Sequence, residues 1–114
     1  MKKIGGNITA NILRKVQQEK NIIGEKAVTW VSAFSLLGFL DLQNGDSKNT
    51  YNAKLQESTH IFICDYQVLS GITPENSKLV ISGQEYQVIL IDNPMQLNQH
   101  LEIYLKYLGG QNVN

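Results

Sequence analysis

Near the C-terminus Leu101, Ile103, Leu105 and Tyr107 alternate with His100, Glu102, Tyr104 and Lys106. A period of two is the mark of a strand with one face on a core, so the pattern predicts a strand over residues 101–108, stopped by Gly109-Gly110. His60-Ile61-Phe62-Ile63-Cys64-Asp65-Tyr66 is rich in β-branched and aromatic residues and has strand length, with Phe62, Cys64 and Tyr66 sharing one face. Residues 78–81 predict a short strand. Ser82-Gly83-Gln84 supplies the residues of a tight turn, and residues 86–92 predict a longer strand ended by Asn93-Pro94. Residues 28–42 read as a long strand bent or bulged at Gly38, with Trp30, Phe34 and Phe39 expected in the core. Ile8, Ala10, Ile12 and Val16 fit a strand, with Arg14 the exception, but Ile4, Ile8, Ile12 and Val16 also recur every four residues, as on a helix. The pattern alone leaves that segment open.

Between the strands at 28–42 and 60–66 lies the most polar stretch of the chain, Gln43-Asn44-Gly45-Asp46-Ser47-Lys48-Asn49-Thr50-Tyr51. Residues 43–59 therefore predict a long loop, with one helical turn near residues 51–56. A loop this long in a compact domain is usually functional or disordered. The expected fold class is all-β: a small antiparallel barrel or sandwich of five to six strands with one long loop between strands 2 and 3. The expected core includes Ile89, Ile91, Leu101, Ile103 and Leu105.

The chain has 114 residues, the size of one domain, so residues 1–114 are read as one unit with an ordered part over 8–108 and flexible ends at 1–7 and 109–114. Lys+Arg and Asp+Glu are 10 each, so the net charge is zero, which argues against a module that grips phosphates or a polybasic membrane binder. There is one cysteine, Cys64, in an apolar run and next to Asp65; it reads as a small buried hydrophobe rather than a reactive thiol, and no disulfide framework is expected. The first residues lack the apolar stretch of a signal peptide, and the window 30–42 falls short of the roughly 20 apolar residues of a membrane span. A reducing cytoplasm is the expected place of synthesis.

Chemistry is sparse in this sequence. His60 and His100 are far apart and in no metal-ligand spacing; His100, on the polar face of its strand, reads as solvated. Asp41, Asp65 and Asp92 each fall at a strand end, where carboxylates most often accept hydrogen bonds from free backbone amides. No Walker-type loop, GxSxG or GxGxxG is present. The expectation is a protein with no enzymatic activity, no metal and no cofactor. Single-strand nucleic-acid binding has weak support, because the lysines are dispersed and only Tyr104 and Lys106 share an outward face.

Three short segments, taken in order, carry a family resemblance. Gly24-Glu25-Lys26-Ala27-Val28-Thr29-Trp30 resembles the G-E-x-x-x-x-W stretch that opens the second strand of small phage head–tail joining proteins. Thr59-His60, entering Ile61-Phe62-Ile63, looks like that family's loop exit. Gly83-Gln84-Glu85-Tyr86-Gln87-Val88, running on to Asp92-Asn93-Pro94, is similar to its G-x-x-Y-x-V hairpin and strand. The resemblance covers residues 8–108, and Asp65 stands where the family often carries arginine. It implies a strand for residues 8–17, and a head-closure (stopper) connector of a tailed phage or prophage, a structural virion protein of the neck made in the bacterial cytoplasm. It also implies a homo-oligomeric ring, usually twelve-fold, between portal or adaptor rings and tail terminator or tail-completion proteins. Double-stranded DNA would pass through the channel without specific binding, no membrane would be involved, and residues 43–51 would form the channel-facing or partner-facing loop. Two other readings stay open at this point: a tail terminator or adaptor ring of the same neck, and a small β-barrel nucleic-acid or protein binding module.

Overall fold

A computed structural model describes residues 3–20, 26–42 and 58–109. Six antiparallel strands make up the fold: β1 (Ile8–Lys20), β2 (Lys26–Leu42), β3 (His60–Asp65), β4 (Ser77–Ile81), β5 (Gln84–Asp92) and β6 (His100–Gly109). They pair in the order β1-β2-β3-β6-β5-β4, and β1 returns to pair with β4 over Asn11–Arg14, so the sheet closes on itself. Closure satisfies strand edges that a domain this small could not otherwise cover. The all-β expectation holds, and the ambiguous N-terminal segment is a strand: Ala10 and Ile12 are fully buried while Asn11 and Arg14 are exposed.

The interior is built by alternate residues of each strand. Ala10, Ile12, Leu36, Phe62, Cys64, Leu79, Ile81, Tyr86, Val88, Leu101, Ile103 and Leu105 form one cluster. Between β3 and β4 the chain crosses one end of the barrel, where Leu69 and Ile72 pack against that cluster. The crossing ends in a 3-10 turn, Pro74–Asn76, held by a reciprocal cap: the Thr73 hydroxyl accepts from the Asn76 amide (3.3 Å) and the Asn76 side-chain oxygen accepts from the Thr73 amide (2.9 Å). The β4–β5 turn follows the expected chemistry, with positive φ at both Ser82 (52°) and Gly83 (78°), the signature of a type I′ hairpin.

Bulges decide which hydrophobic residues go inside. Across Ile12 and Leu13 the partner in β2 jumps from Phe34 to Ser32, leaving Ala33 as the extra residue. No register shift falls at Gly38 itself, where the β1 ladder ends (Ile8 opposite Gly38) and the β3 ladder begins (Gly38 opposite Cys64). Phe34, Leu36 and Leu40 face inward, so Phe39 falls outside at 41% exposure and Trp30, beyond the bulge, is 36% exposed. Of the three aromatics expected in the core, only Phe34 packs there. A second bulge sits at Ile89, since Val88 pairs with Leu105 and Leu90 with Tyr104. The inward positions of β5 switch there from Tyr86 and Val88 to Ile91; Ile89 is buried outside the central cluster, and Ile91 is half-buried against it. In β6 the expected faces hold, but Tyr107 lies at the open rim and stays 39% exposed.

Gly38 marks the closest backbone approach in the barrel. Its own side-chain position would coincide with the Ile63 carbonyl oxygen and lie 2.8 Å from the Phe62 ring. On its other side Gly6 packs directly on the Gly38 backbone, and the Asn7 amide donates to the Gly38 carbonyl (3.0 Å). Residues 4–7 thus make backbone contacts with the barrel. Asp65 adds to them: its carboxylate accepts from the amides of Ile4 (2.6 Å) and Gly5 (3.1 Å), and these two hydrogen bonds lower its pKa. The expected amide-binding role of a strand-end carboxylate is realised here.

Cys64 is a core residue. Burial, and then the neighbouring Asp65 charge, push its thiol up to about 11 from an ordinary 9.0. The thiolate fraction at neutral pH should be about a hundredfold below that of a free thiol. Reaction with an aromatic disulfide reagent is therefore expected to be very slow in buffer and to become rapid in guanidinium. Fast labelling of the native protein would show that the β3–β6 wall opens readily.

Candidate functional site

The residues singled out for the channel or partner loop, 43–51, lie outside the described residues, as does the helical turn expected near 51–56. The structure does describe the points from which that connection leaves and returns. Leu42, the last residue of β2, pairs with His60, the first of β3. The connection therefore starts and ends at neighbouring positions on one rim of the barrel.

The return point is firmly built. Ser58 is buried, and the Thr59 amide donates to the Leu105 carbonyl at 2.7 Å. The Thr59 hydroxyl accepts from the Tyr107 amide (2.8 Å) and lies 2.8 Å from His60 Nδ1, with the Leu105 carbonyl at the 3.5 Å limit. Which of Thr59 Oγ1 and His60 Nδ1 donates depends on the tautomer of the ring, since the hydroxyl can instead donate to the Leu105 carbonyl. Burial lowers the His60 pKa, which favours the neutral ring. The His60 ring stands edge-on to Tyr86 (centroids 5.2 Å) and near Tyr107 (6.2 Å), while Tyr86 and Tyr107 are 5.4 Å apart. The Tyr107 hydroxyl donates to the Gln84 side-chain oxygen. This rim cluster draws on β3, β5 and β6. Thr59-His60 was visible in the sequence as a loop exit, but nothing in the spacing of Tyr86 and Tyr107 announced that they meet it.

A second polar group runs along the outside of β6. His100 Nε2 and the Tyr104 hydroxyl each meet one oxygen of Glu102, both at 3.0 Å. His100, expected to be solvated, is instead half-buried and engaged with a carboxylate. Both Glu102 oxygens are occupied by partners on its own strand, an arrangement that holds side chains flat on the sheet. Among the described residues no group of three His, Cys, Asp or Glu side chains comes together as a metal site would require. No helix among the described residues is long and apolar enough to cross a membrane.

Concave regions also occur among the described residues. One, of about 340 Å³, opens at the barrel end beneath the β3–β4 crossing and is lined by Tyr66, Val68, Leu69, Ile72, Ile91 and Leu101. Another, of about 380 Å³, lies on the outer wall around Trp30, Lys78, Glu85 and Leu108. There Lys78 sits 4.5 Å from the centre of the Trp30 ring and pairs with Glu85 at 3.2 Å, with Lys15 6.0 Å from the same ring. The indole thus meets lysine ammonium groups rather than the core, a cation–π contact that suits an aromatic residue on the outside of the barrel.

No family model and no curated protein matches the chain. Among solved structures, the solution structure of protein SF1141 from Shigella flexneri 2a is similar to it, with a TM-score of 0.70. The match covers 96% of this chain and 98% of that one, at 18% sequence identity. At that identity the likeness shows a shared fold over nearly the whole length of both chains, and it assigns no activity.

Proposed function

We propose that this chain is a structural neck protein of a tailed phage or prophage, a head-closure connector that works as a ring between the portal side and the tail. What carries the reading is the ordered series of motifs at residues 24–30, 59–63 and 83–94, which resembles head–tail joining proteins. The charge and the rim geometry support it. A ring through which double-stranded DNA must slide should not bind phosphates tightly, and this chain has no net charge. A long polar connection that leaves and returns at one braced point, Leu42 opposite His60, is suited to reach into a channel or toward a partner without loading the barrel. In this reading the neighbours are portal or adaptor rings on one side and tail terminator or tail-completion proteins on the other. The protein has no catalytic role, and its place of work is the virion neck.

Deleting Asn44–Asn49 tests the proposal. The barrel should stay folded, because the deleted residues are polar, their anchors pair independently, and closure entropy depends only weakly on loop length. A phage carrying the deletion should nonetheless yield heads that package DNA and then lose it, or that fail to accept tails, visible by electron microscopy of lysates. Normal, infectious tailed particles from a folded deletion variant would remove this segment from any working role.

A further inference from the structure

The barrel accounts for only part of its two longest strands. β1 pairs with β4 only over Asn11–Arg14, and β2 pairs with β3 only over Gly38–Leu42. From Lys15 to Lys20 in β1 and from Lys26 to Leu37 in β2, each strand has a single neighbour among the described residues, namely the other strand. The two form an antiparallel ribbon that runs past the closed sheet, and among the described residues it has an open edge on each side.

Open edges are normally guarded by charge, proline or short length. The β1 edge carries Lys15, Glu19 and Lys20 in its sequence, but residues 27–40 of β2 contain neither a charged residue nor a proline. Val28, Trp30 and Val31 are exposed on the ribbon as well. A long, uncharged, partly apolar edge is a template for another strand.

We infer that the β1–β2 ribbon joins copies of this chain side by side, the open edge of β2 in one copy pairing antiparallel with the open edge of β1 in the next. Strand polarity favours this partner. β1 and β2 are antiparallel within a copy, so a second copy placed alongside by rotation presents its β1 antiparallel to the first copy's β2 without inversion. Completeness favours it too. Twofold pairing of β2 with β2 would leave both β1 edges open, whereas head-to-tail pairing uses both edges of every interior copy and leaves none when the series closes. Closure of the series rests on the ring proposed above; the edge pairing is tested by itself.

The test is disulfide trapping in full-length chains with Cys64 replaced by serine. Single cysteines are placed on β1 (Lys15→Cys, Val16→Cys, Gln17→Cys) or on β2 (Thr29→Cys, Trp30→Cys, Val31→Cys), and each variant is checked for native amide shifts by NMR. Paired strands bring facing residues within disulfide reach in either type of antiparallel pair. After mild oxidation of concentrated protein, mixing a β1 chain with a β2 chain should give cross-linked pairs at one register. A chain carrying both Gln17→Cys and Val31→Cys should give a ladder beyond the dimer, since those positions are too distant to bridge within one ribbon. Adding Val28→Lys and Thr29→Lys to the β2 edge should abolish the ladder. Cross-linking of β2 chains only with themselves would overturn the inference in favour of a twofold dimer, and no cross-linking at any register would overturn it outright. Ladders from a protein whose deletion phage assembles normally would remove the 44–49 segment from a working role and leave the pairing. Normal closure with no ladder in the neck would do the reverse.

Discussion

Gly38→Ala should destabilise the barrel by about 3 kcal/mol or more, at or beyond the upper end of the usual cost of overpacking a core. The added methyl would meet the Ile63 carbonyl oxygen, a backbone atom of the paired strand, as well as the Phe62 ring and the Cys64 side chain. A flexible side-chain tip moves aside at little cost, but a carbonyl held in the β2–β3 ladder does not move without breaking that ladder. Guanidinium unfolding followed by tryptophan fluorescence measures the loss, with Trp30 as the single reporter. Gly5→Ala is the control. Its side-chain position is open and its φ is +72°, so only the left-handed backbone is penalised, by roughly 1–2 kcal/mol. Equal losses at the two sites would mean that close approach at Gly38 does not limit packing.

Ile103→Ala is expected to cost about 2–5 kcal/mol, the range for deleting a buried aliphatic side chain where neighbours close the cavity only in part. Ile103 is fully buried in β6, facing Phe62 across one ladder and Ile91 across the other, so the void would open at the centre of the wall. An out-facing position on the same strand, Lys106→Ala, should change stability by less than about 0.5 kcal/mol. A cost below about 1 kcal/mol at Ile103 would show that the β3–β6–β5 wall repacks far more freely than a close-packed interior normally does.

The fold class, five of the six strands, the Ser82-Gly83 turn and the inward set Leu101, Ile103 and Leu105 were legible in the sequence, because a strand with one buried face must alternate and a tight hairpin needs residues that accept positive φ; β1 stayed open, because its apolar residues fit a period of four as well as of two. The period of two does not say where the phase slips. One extra residue at Ala33 turned Trp30 outward and another at Ile89 turned Ile91 inward, while Phe39 lies outside because it alternates with Leu36 and Leu40; a bulge leaves no mark on a run of apolar residues. Gly38 stood out in the sequence and was expected to bend or bulge the strand; its actual role, close approach to Gly6 and to the Ile63 backbone, exists only once strands far apart in sequence are brought together. The same holds for Asp65, whose amide partners lie about sixty residues earlier, and for the Thr59–His60–Tyr86–Tyr107 rim. The open edges of the ribbon are likewise a tertiary fact. Local sequence sets the length of β1 and β2, but the shorter strands that close the barrel beside them decide how much of each edge is left for a neighbour.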